Sequence, residues 1–149
     1  FTVSAGAHGG RALIDFQSKL TPIRGDVQLK GDPEHAGIQY RPANEVDKKL
    51  TKYVFPKGVE KVKGTKDMPW AAENYTLAGK QYGVVHLNSK SNPKGTVHSA
   101  YRDYGRFGAF FEKDVKQGES LTVNYGFLIV DGELPGQDDI QKVWEAWGK

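Results

Sequence analysis

Residues 11–20 alternate, with Ala12, Ile14, Phe16 and Leu20 on one side and Arg11, Asp15, Gln17 and Lys19 on the other. A period of two sends successive side chains to opposite faces, so this stretch predicts a half-buried antiparallel strand. Pro22 and Gly25-Asp26 interrupt it, Val27 and Leu29 predict a second short strand, and Gly31-Asp32-Pro33 turns the chain into a third over 37–41. Three strands in quick succession predict a meander. Further on, Trp70 to Leu77 and Gln81 to Leu87, joined by Ala78-Gly79-Lys80, predict a hairpin with a largely apolar second strand. The cleanest alternation sets Leu121, Val123, Tyr125, Phe127 and Ile129 against Thr122, Asn124, Gly126 and Leu128, bounded by Gly118 and by Asp131-Gly132. Residues 88–108 show no period at all and are dense in reactive polar side chains.

From Pro135 the period changes. Ile140, Val143, Trp144 and Trp147 fall at i, i+3, i+4 and i+7, one stripe of an amphipathic helix, with Asp138 and Asp139 in the first turn where the helix dipole favours acids. Two Trp at this spacing predict a face packed on the sheet, with carbohydrate stacking as the alternative. Together the pattern predicts a mostly β fold over residues 1–149, a single antiparallel β-sandwich domain of jelly-roll or supersandwich type closed by one C-terminal amphipathic helix.

Composition sharpens this picture. A chain of 149 residues is long enough to bury a core without a metal or disulfide, and 7 Tyr, 7 Phe and 3 Trp are too many for a disordered one. The longest apolar run, 127–130, is far short of a membrane helix, so no membrane association is expected. The absence of cysteine excludes a thiol nucleophile and zinc-ribbon or iron–sulfur ligation. The net charge of +3 comes from residues 47–66, where seven Lys face Asp47 and Glu60. Such a run reads as a solvated loop, with Tyr53-Val54-Phe55 as a candidate edge strand, or as an anion-binding strap; it does not imply nucleic acid. The chain opens at Phe1 with neither Met nor a basic-then-apolar leader, which predicts a terminus made by processing.

No Gly-x-Ser-x-Gly, His-Glu-x-x-His, phosphate loop or dinucleotide fingerprint is present. Candidate chemistry lies in two stretches. On a strand starting near Ala36, Gln39 and Arg41 share a face with His35 at its mouth, a set suited to sugar hydroxyls or a carboxylate; alternatively Arg41 pairs with Glu45 and the face is only solvated. In the second stretch Asn92-Pro93 opens a turn, and His98, Tyr101, Arg102, Asp103, Tyr104 and Arg106 follow. If that stretch is extended, His98, Arg102, Tyr104 and Arg106 point one way and Tyr101 and Asp103 the other. Its functional reading is an anion or polyol site with His98 as acid or base; its structural reading is a brace of two Arg around Asp103. A metal site for Zn, Cu or Fe needs His35, His86 and His98 to converge, aided by Asp103 or Glu34; without a local His pair no metal and no other cofactor is expected.

Asn92-Pro93, the run Ser99 to Gly108, Gly118 to Tyr125, Asp131-Gly132-Glu133 and Asp32 to Arg41 resemble a bacterial family labelled methane-oxygenase-like, in its carboxy-terminal half. The resemblance implies a secreted or periplasmic β-sandwich from bacteria that degrade complex polysaccharides. It also implies an additional amino-terminal half with His-rich segments, so that this chain is a fragment, a partner of that half, or a shortened member. A hydrocarbon-oxidising role is not expected, because membrane methane monooxygenase subunits are built of membrane helices.

The resulting expectation is a secreted protein that binds or processes a carbohydrate or other small polar ligand. Catalysis is assigned to His98, His35 and Asp103, and binding to Gln39, Arg41, Asn92, Tyr101, Arg102 and Arg106. The alternatives are a non-catalytic assembly protein, a homo-oligomer or filament subunit paired through sheet edges or the missing half, and a metal-dependent oxidase.

Overall fold

The computed structural model describes residues 1–33 and 35–149; Glu34 lies outside the described residues. The described strands, in chain order, are β1 (Thr2–Ala5), β2 (Ala12–Leu20), β3 (Val27–Leu29), β4 (Ile38–Tyr40), β5 (Lys52–Val54), β6 (Trp70–Leu77), β7 (Lys80–Asn88), β8 (Val97–His98), β9 (Phe107–Phe110), β10 (Lys113–Val115) and β11 (Leu121–Asp131). One α-helix, α1 (Gln137–Trp147), follows. A six-stranded sheet runs β1-β2-β11-β7-β6-β5, a three-stranded sheet runs β4-β9-β8, and β10 pairs with β3; every pairing is antiparallel.

The large sheet is covered on both faces, and strand parity shows how. On one face Leu13, Trp70, Ala72, Val85, Leu87, Leu128 and Val130 pack with Ile140 and Trp147 of α1. On the other, Ala71, Val84, Tyr125 and Phe127 pack with Phe107 and Ala109 of the three-stranded sheet, and Ile38 and Tyr40 join them. The protein is therefore an antiparallel sandwich, open at the β1 and β5 edges, with the helix as a third layer. The alternation in β2 and β11 is one of environment, not of polarity alone: Leu13 and Leu128, on the strands' nominally polar sides, are 4% and 0% exposed because α1 covers that face.

The predicted hairpin is present, with Leu77 paired to Lys80 across Ala78 and Gly79 at φ 50° and 73°. The helix stripe also packs as expected. Trp147 is buried and its Nε1 donates to Asp15 Oδ1 at 2.6 Å, while Trp144 Nε1 donates to the Asn88 carbonyl at 2.7 Å, so both indoles serve the helix–sheet contact. In the Lys-rich segment β5 is the expected edge strand, preceded by a single 3-10 turn at Lys48–Leu50 whose amide at Lys49 is accepted by the Asp47 side chain. No helix among the described residues is long and apolar enough to cross a membrane.

The meander is a correction. β2, β3 and β4 do not pair with one another: they take β11, β10 and β9 as partners, in three separate sheets. Adjacency in sequence favours adjacency in space, but here each of these strands pairs with a segment from the second half of the chain, and β2 pairs with β1 on its other side.

A candidate anion-binding pocket

The β4–β9 ladder assembles the site. Tyr40 pairs with Phe107, so one step past the end of β4 and one step before β9 the antiparallel register sets Arg41 opposite Arg106. Tyr40 and Phe107 point into the sandwich, ring centroids 5.9 Å apart, which turns the flanking arginines away from the core. Arg41, Pro42, Ala43, Asn44, Lys48, Tyr104 and Arg106 line a surface cavity of about 310 Å³ at this end of the sheet.

Tyr104 organises its charges. Arg106 Cζ lies 5.7 Å from the Tyr104 ring centroid, Arg102 Cζ 6.0 Å and Lys48 Nζ 6.0 Å, so three cations surround one phenol. Arg41 reaches the same cavity, its Nη2 donating to Asn44 Oδ1 at 3.3 Å. The cavity lining brings Arg41, Lys48 and Arg106 together at this end of the smaller sheet. The loop is held in place from below: Tyr53 Oη donates to the Arg102 carbonyl at 2.8 Å, and the Gly105 amide donates to the same carbonyl at 3.1 Å.

Directly inside this loop is Glu73 on β6, fully buried, with neither carboxylate oxygen hydrogen-bonded to a described residue. Burial pushes its pKa up to about 9, so it is a neutral acid at pH 7. Burial, and then the carboxyl of Glu73, also raise the phenol of Tyr53, and burial raises that of Tyr40, which shares a 2.8 Å hydrogen bond with Tyr75. Deeper still, His86 on β7 and His98 on β8 meet in the sandwich interior beside Tyr125 and Phe127. Burial, followed by the neighbouring His98, holds His86 well below the ordinary histidine range, and burial lowers His98 to about 4.

The structure thus sorts the residues named from sequence. Arg41 and Arg106 come together, with Arg102 on the same Tyr104 ring. Tyr101 lies beside them under Lys63, whose Nζ is 4.6 Å from its ring centroid. His98 as a surface acid or base is corrected: it is 2% exposed, neutral at ordinary pH and sealed between the sheets. The stretch is not extended as supposed, because Arg102 to Gly105 form a turn, which leaves Asp103 exposed at its tip and outside the lining of the cavity.

His35 is exposed and bonded to Asp32 through Nδ1 at 3.0 Å. Gln39 is committed to the protein, donating to the Ala36 carbonyl at 2.8 Å and accepting from Ser99 Oγ at 3.3 Å. Asn92 is likewise a buried brace: its Nδ2 donates to Asn88 Oδ1 and to the Asn124 carbonyl, and its Oδ1 accepts from the Asn124 amide, each at 2.8 Å. Of the three histidines considered as a metal site, two meet and His35 does not join them, and no group of three metal-ligating side chains occurs among the described residues. Lys48 and Glu73 were not singled out. Glu73 had a signal, an acid on the face that β6 otherwise gives to Ala71 and Tyr75.

An open antiparallel sandwich with a cationic pocket at the end of its smaller sheet is the class of protein that fold and site define. The chain belongs to a family of unknown function (DUF6807), whose model matches residues 1–145. No curated protein and no solved structure matches it.

Proposed function

We propose that this protein binds an acidic carbohydrate or related polyol through the pocket of Arg41, Lys48, Tyr104 and Arg106. The observation that carries the reading is the grouping of Lys48, Arg102 and Arg106 around the Tyr104 ring beside Arg41. Guanidinium groups offer paired donors matched to a carboxylate, and holding them on an aromatic ring reduces the ordering cost of binding. The resemblance to a secreted or periplasmic family from polysaccharide-degrading bacteria supports the same ligand class and a location outside the cytoplasm. The histidines first assigned to catalysis do not support processing, since His98 is sealed from the pocket and His35 is engaged with Asp32.

Isothermal titration with trigalacturonate, and with maltotriose as the neutral control, tests this. Binding of trigalacturonate alone, weakened about tenfold or more in an Arg41→Ala/Lys48→Ala variant and by added salt, is the expected result. Equal binding of both sugars, or of neither, overturns it.

A second reading, assembly without a small ligand, is favoured by one observation. β1 is an open edge of the large sheet, exposed along its whole length, with Val3 56% exposed. Light scattering after size exclusion tests it: a concentration-dependent oligomer supports the reading, and a monomer at all concentrations removes it.

A further inference from the structure

The seven lysines between Asp47 and Lys66 are all exposed. Among the described residues only Lys57 of the seven has an ion pair, with Asp138 at 2.7 Å, and Asp47 Oδ1 accepts from the Lys49 amide rather than from an ammonium. The segment is nevertheless tied down. Lys48 Nζ lies 6.0 Å from the Tyr104 ring centroid and Lys63 Nζ 4.6 Å from that of Tyr101, so lysines from opposite ends of the segment are held on one short loop. Tyr53 of β5 donates to the Arg102 carbonyl in the same loop, and Lys66 forms an antiparallel bridge with Val97 of β8. A merely solvated loop needs none of these ties, and gathering like charges in one place costs stability through self-repulsion. Beyond Lys63, Lys66 and the exposed Lys94 line a second surface cavity of about 440 Å³, together with Val97, Phe110 and Glu112. The chain from Val97 in this cavity to Tyr104 in the first reaches at most about 25 Å. Arg41 and Lys48, then Lys63, then Lys66 and Lys94 are therefore strung along the run 97–104.

We propose that these lysines form a cationic track by which the protein holds a chain of acidic sugars: the pocket of Arg41 and Lys48 takes one part of the polymer, and Lys61, Lys63, Lys66 and Lys94 take the acidic groups further along it. This rests on the acidic-carbohydrate reading above and names its ligand as a polysaccharide chain rather than a single small acid. Each exposed ammonium attracts a carboxylate only weakly through water, but charges repeated along one ligand bind as a linked set, because the first contact raises the effective concentration of the next. A single-stranded nucleic acid fits the track less well. It gains much of its affinity by stacking bases on aromatic faces, whereas Tyr101 and Tyr104 carry Lys63 and Lys48 over their rings.

The experiment titrates wild type and a Lys61→Gln/Lys63→Gln/Lys66→Gln variant with trigalacturonate and with nonagalacturonate, correcting the longer chain for its overlapping sites. Wild type is expected to bind the nonamer about tenfold or more tightly than the trimer, and to lose more of the nonamer's affinity than of the trimer's when salt is raised. The triple variant, changed only at exposed side chains, is expected to keep the wild-type Tm and trimer affinity and to lose the gain with length. Equal affinity of wild type for trimer and nonamer, or a triple variant that retains the gain, overturns the track and leaves the pocket reading standing. Binding of neither sugar overturns both. Oligo(dT) of the same charge as the nonamer is expected to bind wild type more weakly than the nonamer does, and tighter binding of the DNA overturns the choice of a polysaccharide as partner.

Discussion

His86 and His98 meet edge to face in the interior, ring centroids 5.5 Å apart, one from each sheet of the sandwich. Both have their pKa lowered by burial, so both are neutral in the folded protein near pH 6. Below the unfolded histidine value of 6.5 the unfolded chain binds protons that the folded chain refuses, and stability falls with pH at up to about 1.4 kcal/mol per unit for each group. Glu73 acts oppositely over part of this range, so the test is made in the Glu73→Leu background. Urea unfolding there is expected to show stability dropping between pH 6.5 and 5, and a flat profile contradicts the burial of the pair.

Glu73 sets the alkaline side. Its folded pKa is raised from the ordinary 4.5 to about 9, so between these values the folded protein holds a proton that the unfolded chain has released. Its contribution is fully present below 4.5 and is lost as pH rises towards 9, at about 1.4 kcal/mol per unit. Denaturation between pH 7 and 9 is expected to show this decline in wild type and its absence in Glu73→Leu; parallel profiles would mean that Glu73 is ionised in the fold.

The β6–β7 turn is strained by one residue. Ala78 sits at φ 50°, a left-handed conformation that a side chain such as Asn tolerates better, and the following Gly79 at φ 73° completes the Asn-Gly pattern preferred in two-residue hairpins. Ala78→Asn is expected to stabilise by about 0.5–1 kcal/mol, read as a higher midpoint at unchanged m. A lowered midpoint contradicts the turn geometry.

Trp147 ties α1 to the sheet through Asp15, whose pKa is lowered despite the opposing effect of partial burial because Lys149 and Trp147 donate to it. Trp147→Phe keeps most of the buried ring and removes the donor, with an expected loss of about 1–2 kcal/mol and an upward shift of the Asp15 titration. Gly126→Ala tests the same contact from below, since a Cβ there would meet Trp147 Cε2 and Leu87 Cδ1 at 3.1 Å each. It is expected to cost about 1–3 kcal/mol, and stability equal to wild type would show that the helix sits further from the sheet.

The strands legible from sequence were those with room to show a period: β11 over eleven residues and the β6–β7 hairpin with its glycine turn. The same holds for α1, whose Trp pair fixes its buried stripe. β8, β9 and β10, of two to four residues, are too short to carry one. Pairing was the harder matter, because nothing local in β2, β3 or β4 tells that β11, β10 and β9 complete them. The site was half legible for the same reason. Arg41 and Arg106 are ordinary surface arginines until the Tyr40–Phe107 register places them opposite each other. His98, in a polar and irregular stretch, gave no hint that it would be sealed against His86.

The central claim is that the pocket around Tyr104 takes an anionic saccharide. A two-dimensional NMR titration of ¹⁵N-labelled protein with trigalacturonate tests it most directly. The account predicts saturable shifts confined to residues 41–48 and 102–106, suppressed by salt. Shifts centred elsewhere, such as on the helix face around Trp144, or no shifts at millimolar sugar, would contradict it.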